Sequence, residues 1–222
     1  MTTVLAQSGP VTGIFRLRKF RYVFGIKTFI ADYKENNCIF RFDIRKTFFS
    51  NRLAYERSRI LKQVKNNENI LVMFAGIGPF AIEIAKQNKT TNIVGIELNK
   101  NAVLYMKENI KLNKTPNVKA EYGDVRKISK KYKGFADRII VPMPKSSIKF
   151  LDQILLASRK NSIVYIYIFG DREKVYDETK AQIQKHAKMN NYRARILSER
   201  IVRSYSANEV EIVLDFKISK LK

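Results

Sequence analysis

Val72-Met73-Phe74-Ala75-Gly76-Ile77-Gly78-Pro79-Phe80 joins an apolar run, ILVMFA (70–75), to an amphipathic stretch, PFAIEIAKQN (79–88). The run reads as a buried strand and the stretch, with apolar residues at helical spacing, as a helix. Glycines at such a junction let the backbone turn tightly and let a ligand approach where a Cβ would intrude. Pro79 suits a first helical turn, where its missing N–H costs nothing. A G-x-G alone is weak, because simple turns share it. Two carboxylates strengthen it. Glu97 closes the next strand-like run, TNIVGIEL (91–98), 21 residues after Gly76, where a carboxylate can take both hydroxyls of a ribose. Asp124 ends a third run, NVKAEYGD (117–124), placed to meet an adenine edge. Singly, each acid reads equally well as a cap or a solvated carboxylate. As an ordered set at successive strand ends they mark a ligand site.

The pattern continues outward. NAVLYMKENIKLN (101–113) reads as a helix, ADRIIVPMP (136–144) as a strand, and a helix follows through Ile154-Leu155. SIVYIYIFG (162–170) is strand-like, a polar helix spans about 173–190, and YRARILSERIV (192–202) with VEIVLDFKI (210–218) form a closing antiparallel pair. Strands alternating with helices predict an α/β fold, a doubly wound and mostly parallel sheet. Upstream, Leu53, Ile60, Leu61 and Val64 predict a linking helix over 52–66. Residues 1–50 read as a small basic β-rich module, with strands at 15–24, 28–33 and 38–44 and a turn at Lys34-Glu35-Asn36-Asn37. The main domain is then 51–222.

Composition limits the chemistry. Among 222 residues, 43 Lys+Arg against 20 Asp+Glu give a net charge of +23, while 45% hydrophobic residues supply a core. An excess this large on a globular chain points first to a polyanion, RNA or DNA. An anionic membrane or a lysine-rich proteome would leave the same mark. The single Cys38 excludes an internal disulfide and a cysteine-built zinc site, and the single His186 leaves no histidine pair for a metal. No run approaches about 18 apolar residues and no signal peptide is evident, so a cytoplasmic chain without a membrane role is expected. The glycine turn admits a dinucleotide or S-adenosyl-L-methionine. Pro79-Phe80-Ala81 stands where the third glycine of a dinucleotide fingerprint belongs, which favours the phosphate-free cofactor.

Taken together, FFSNRLAYER (48–57), MFAGIGPF (73–80), IELN (96–99), LYMKENIKLN (104–113), GDVR (123–126), MPKS (143–146) and VRSY (202–205) give a chain that resembles the archaeal and eukaryotic tRNA (guanine-37-N1)-methyltransferases from about Ile14 onward. The resemblance implies a Rossmann-like class I methyltransferase domain behind a small β-rich domain. It implies methyl transfer from S-adenosyl-L-methionine to N1 of the guanosine beside the anticodon, by a monomer binding the anticodon stem-loop of tRNA. It also implies roles. Glu56 matches the general base that removes the N1 proton, which a buried carboxylate can do. Without the motif it reads as a helix-surface glutamate paired with Arg52 or Lys62. Arg16 matches the arginine that holds the guanine and stabilises charge on its O6, though a phosphate contact is the plainer role for a basic strand. Arg57 falls among the cofactor contacts. Glu97-Leu98 and Asp124-Val125 match the ribose and adenine positions, with Phe74, Ala75, Gly76 and Gly78 around the methionine end. Arg52, Pro142, Pro144, Lys145 and Arg203 fall on the RNA-facing side, and Pro142 also falls among the cofactor contacts.

Two departures matter. Where the family commonly has Asn-Leu-Pro this chain has Pro142-Met143-Pro144, so the asparagine's hydrogen bonds are lost. Some archaeal members also methylate C7 of the tricyclic wyosine precursor at the same nucleotide, and a more apolar pocket would suit that. Many relatives carry a further N-terminal domain that checks tRNA shape, and only about fourteen residues precede the β module here. Two rival readings stand: a wyosine-pathway aminocarboxypropyl transferase using the same cofactor, and a non-catalytic RNA-binding module with a vestigial cofactor fold.

Overall fold

The computed structural model describes residues 2–221. Its centre is a seven-stranded sheet built from β5 (Asn69–Met73), β6 (Asn92–Glu97), β7 (Val118–Tyr122), β8 (Ala136–Val141), β9 (Ser158–Asp171), β10 (Tyr192–Ser204) and β11 (Glu209–Lys220), in the order β10-β11-β9-β8-β5-β6-β7. The strands from β9 to β7 run parallel, and β11 and β10 add antiparallel to that edge. Helices cover both faces. Ile70 and Val72 point into a core with α1 (Ala54–Leu61), α2 (Pro79–Gln87) and α3 (Lys100–Asn113). Leu71 and Met73 point into the opposite core with α4 (Val125–Ile128), α5 (Leu151–Ala157) and α6 (Val175–Met189). Side-chain alternation on central strands buried on both faces explains why these runs are apolar throughout. The doubly wound reading stands.

The N-terminal strands form two hairpins: β1 (Thr3–Gln7) with β2 (Phe20–Gly25), and β3 (Ile30–Glu35) with β4 (Cys38–Asp43). Asn36 and Asn37 both take positive φ between Glu35 and Cys38, the geometry a two-residue hairpin needs. Cys38, Phe40 and Phe42 share a core with Ile77, Ile82 and Ala102, so this hairpin packs on the sheet domain. Its free edge is held by α3. Asn109 accepts from the Arg41 N–H at 2.8 Å and donates to its carbonyl at 3.1 Å. Asn113 does the same for Ile39 at 2.8 and 2.7 Å. Two asparagines four residues apart on one helix face thus act as a neighbouring strand.

Three expectations are corrected, and one strand was not foreseen. No strand covers 15–24: Gly13–Arg16 form a turn closed by a bridge between Thr12 and Leu17, and the strand begins at Phe20. β1 escaped notice because five residues show too little alternation to mark a strand without their partner. The strand expected over 136–144 stops at Val141, since Pro142 has no N–H to continue a ladder. The linking helix is a 3-10 turn (Asn51–Leu53) followed by α1, which ends at Leu61.

Candidate active site

The chain leaves β5 through a turn in which Phe74, Gly76 and Gly78 have φ of 57°, 58° and 93°. A Cβ on Gly78 would lie 2.8 Å from Met106 Cγ, so packing as well as conformation demands glycine there. A Cβ on Gly76 would meet only the Phe48 carbonyl, at 3.8 Å, so that side of the turn is open. Glu97 ends β6 and faces the turn: Oε2 accepts from the Gly76 N–H at 2.8 Å and Oε1 from the Asn99 N–H at 2.7 Å. Burial lifts its carboxyl above the ordinary range, against the pull of these amides and that of Leu98. Each oxygen keeps a further lone pair, enough for two ribose hydroxyls. Asp124 lies two residues beyond β7 and caps α4, accepting from the Arg126 N–H at 2.7 Å while Val125 behind it is buried. Leu98 is exposed, Ala75 is buried beneath the turn, and the Phe74 ring packs edge-on against Phe150. An open turn beside a fixed carboxylate fits an adenosine-bearing cofactor without phosphates.

A second group of residues meets this turn from above. The Phe48 carbonyl passes Gly76, and the Arg16 guanidinium stacks over the Phe48 ring at 4.6 Å. Arg16 lines a cavity of about 230 Å³ with Arg18, Tyr33, Phe48, Phe49 and Asn51. From α2, the Phe80 ring stands 6.2 Å from Tyr167. The Tyr167 hydroxyl donates to Glu56 Oε2 at 3.3 Å. Glu56 is only 2% exposed, and the same Oε2 accepts from Arg59 Nε at 2.9 Å. Arg59 in turn holds Asp215 through two bonds, at 2.5 and 3.0 Å. The Arg200 Nε faces Glu56 Oε1 at 3.7 Å, too far to donate. Nearby, Arg203 Nε donates to buried Glu211 at 2.5 Å. Burial raises that carboxyl, the Arg203 and Arg16 guanidiniums oppose the rise, and the Glu56 charge adds to it.

Glu56 is therefore buried, linked through Tyr167 to the Phe80 ring that follows the turn, and is not the surface glutamate paired with Arg52 or Lys62. Arg57 has other partners, although its guanidinium also lies 5.9 Å from the Phe80 ring that follows the turn. It is 2% exposed and clamps Glu35 of β3 with bonds of 2.6 and 2.7 Å, with Glu83 of α2 at 3.2 Å. Consecutive helix positions point about 100° apart, so neighbours in RLAYER serve different sites. Pro142 follows the last residue of β8, half-buried and level with Tyr167; Pro144 is buried and its carbonyl accepts from the Phe169 N–H. Arg52 and Lys145 are exposed to solvent. Arg59, Tyr167, Arg200 and Asp215 were missed as site residues. Acidic Glu211 and Asp215 two turns of the pleat apart within the apolar VEIVLDF (210–216) were the signal available. No cluster able to hold a metal occurs among the described residues, and no helix there is long and apolar enough to cross a membrane.

A seven-stranded, doubly wound sheet with this turn and carboxylate at its carboxyl edge defines the Rossmann-like methyltransferase fold. Residues 31–197 match the profile described as the TRM5/TYW2 methyltransferase domain, and the chain belongs to that family. It is 32% identical to the tRNA (guanine(37)-N(1))-methyltransferase Trm5b of Pyrococcus abyssi over 97% of this chain and 64% of that protein. The corresponding values for the tRNA 4-demethylwyosine(37)-methyltransferase Taw21 of Saccharolobus solfataricus are 35%, 97% and 79%. The chain thus spans less than two thirds of the Pyrococcus relative. Among solved structures, a complex of aTrm5 with tRNALeu matches with a TM-score of 0.83 and 33% identity, covering 97% of this chain and 60% of that one. TYW2 of Methanocaldococcus jannaschii, in complex with AdoMet, matches with a TM-score of 0.85 and 29% identity over 91% of each.

Proposed function

We propose that the chain is a tRNA methyltransferase that uses S-adenosyl-L-methionine to methylate N1 of guanosine 37. The observation that carries this reading is the meeting of two groups at one sheet edge: the open Gly76 turn with Glu97, and the Arg16–Phe48 stack with buried Glu56. Glu97, Asp124 and the Phe74–Gly78 turn hold the cofactor, which supplies an electrophilic methyl carbon. Guanine enters beside Phe48. Glu56 would take the proton that guanine N1 gives up as the nitrogen accepts the methyl group, and the Arg16 guanidinium would stabilise the charge developing on O6. Burial beside Arg59 and Tyr167 keeps water from competing for the base. The basic surface, at +23 overall, binds the anticodon stem-loop.

Pro142 supports a second substrate. With neither side-chain amide nor N–H it leaves an apolar wall at the end of β8, suited to methylating C7 of the tricyclic wyosine precursor, the substrate class in the name of the Saccharolobus relative. Chromatography of the spent cofactor tests the reaction class. S-adenosylhomocysteine formed with tRNA supports methyl transfer; methylthioadenosine would mean aminocarboxypropyl transfer, and neither product would mean a binding module. The same assay on tRNA bearing the tricyclic base tests the second substrate.

A further inference from the structure

The Glu56 carboxylate is divided between two environments. Oε2 is taken by Arg59 Nε and the Tyr167 hydroxyl. Among the described residues Oε1 accepts no hydrogen bond, and the Arg200 Nε that faces it at 3.7 Å has no partner either. Arg200 stacks on Tyr55, which is 67% exposed, so the way from solvent to Oε1 runs past the Arg200 side chain. We propose that Arg59 and Asp215 are positioning residues for Glu56, clamping Oε2 so that Oε1 alone takes the N1 proton. This rests on the reading of Glu56 as the base.

A lone guanidinium against a carboxylate makes it a poor proton acceptor, whereas a general base works best when it titrates near the operating pH. Asp215 takes Arg59 Nη1 at 2.5 Å and Nη2 at 3.0 Å, and that Nη2 is itself 2.9 Å from Glu56 Oε2, so one positive charge is shared by two carboxylates. The groups facing this pair from the surrounding elements are Tyr165 and Tyr167 on β9, Arg200 on β10, and Glu211 on β11. Burial holds the Tyr167 hydroxyl well above its usual range, so it remains a donor throughout.

The test reads two midpoints in the full chain: titration of the Glu56 carboxyl by carbon-13 NMR of the free protein, and the acid limb of single-turnover methyl transfer to tRNA. Asp215→Asn leaves the Arg59 charge undivided, so both midpoints move down and the plateau rate falls severalfold. Arg59→Gln removes that charge and both move up. Shifts of opposite sign are not the mark of a merely structural role. Tyr167→Phe, which deletes one donor to the charged form, moves them up modestly and serves if Arg59→Gln does not fold. Unmoved midpoints in folded variants overturn the clamp, and the NMR titration gives its answer whether or not RNA is modified. Glu56→Gln separates the two ideas: native-rate methylation by it removes the base reading itself. A rate lowered by about 10²–10⁴-fold together with unmoved midpoints elsewhere removes only the clamp.

Discussion

Gly76 and Gly78 sit two residues apart and carry different burdens. At Gly78 a methyl group meets Met106 Cγ at 2.8 Å, and φ of 93° is foreign to any other residue. Gly78→Ala should therefore cost about 1–3 kcal/mol in folding, lowering Tm by about 2–4 °C for each kcal/mol. Gly76 has open space above it and φ of 58°. Gly76→Ala should cost about 1 kcal/mol of stability while weakening S-adenosyl-L-methionine binding far more, because its methyl group occupies the ligand's approach. Thermal unfolding and cofactor titration calorimetry on both variants separate the roles. Equal losses of stability and affinity in the two would contradict them. Glu56 and Arg57 repeat the lesson, since the motif FSNRLAYER marks both positions as important but cannot tell which faces the substrate. Only the helix phase, with Arg59 three residues on from Glu56, sends one to Arg59 and Tyr167 and the other to Glu35 and Glu83.

The elements docked on the sheet domain depend on buried polar groups. Asn109→Ala would strand the Arg41 N–H and carbonyl, and the Ile77 carbonyl loses the same amide. A cost of about 2–4 kcal/mol is expected in denaturant unfolding, against almost none for exposed Asn101→Ala. Beside it, burial pushes the Glu83 carboxyl up to about 8 from an ordinary 4.5, against the Arg57 guanidinium and the Asn36 amide. The folded chain thus keeps a proton that the unfolded chain gives up, and this stabilisation, complete below 4.5, is lost as pH rises through about 8. Glu83→Gln should gain stability relative to the native chain as pH rises from 4.5 to about 8; a constant difference would show that Glu83 titrates normally. The core strands were legible because ILVMFA and TNIVGIEL are apolar throughout, and the Asn36-Asn37 turn because asparagine tolerates positive φ. β1 and the Arg16 turn were not, since a short polar strand exists only by virtue of its partner and a left-handed arginine leaves no trace in composition. The Arg59–Asp215 pair joins residues 156 apart, which no local pattern reveals.

At the scale of the whole molecule the net charge of +23 has to be reconciled with a site in which most guanidiniums are paired with carboxylates and Arg16 stacks on Phe48. Arg57, Arg59, Arg138 and Arg203 are spent on internal carboxylates, so the unpaired excess is carried by surface side chains such as Arg52, Lys145 and Lys149. If these engage phosphates, tRNA affinity should fall log-linearly with salt. About six to ten contacts would cost roughly 10³–10⁵-fold between about 50 and 200 mM. A flat response in filter binding would assign the charge to something other than RNA. The central claim is narrower, that one nucleotide atom is methylated. Unmodified tRNA incubated with the chain and S-adenosyl-L-methionine, digested and mapped by mass spectrometry, should show one added methyl group on guanosine 37, at N1. A methyl group at another nucleotide, an aminocarboxypropyl mass at 37, or no added mass would contradict the account.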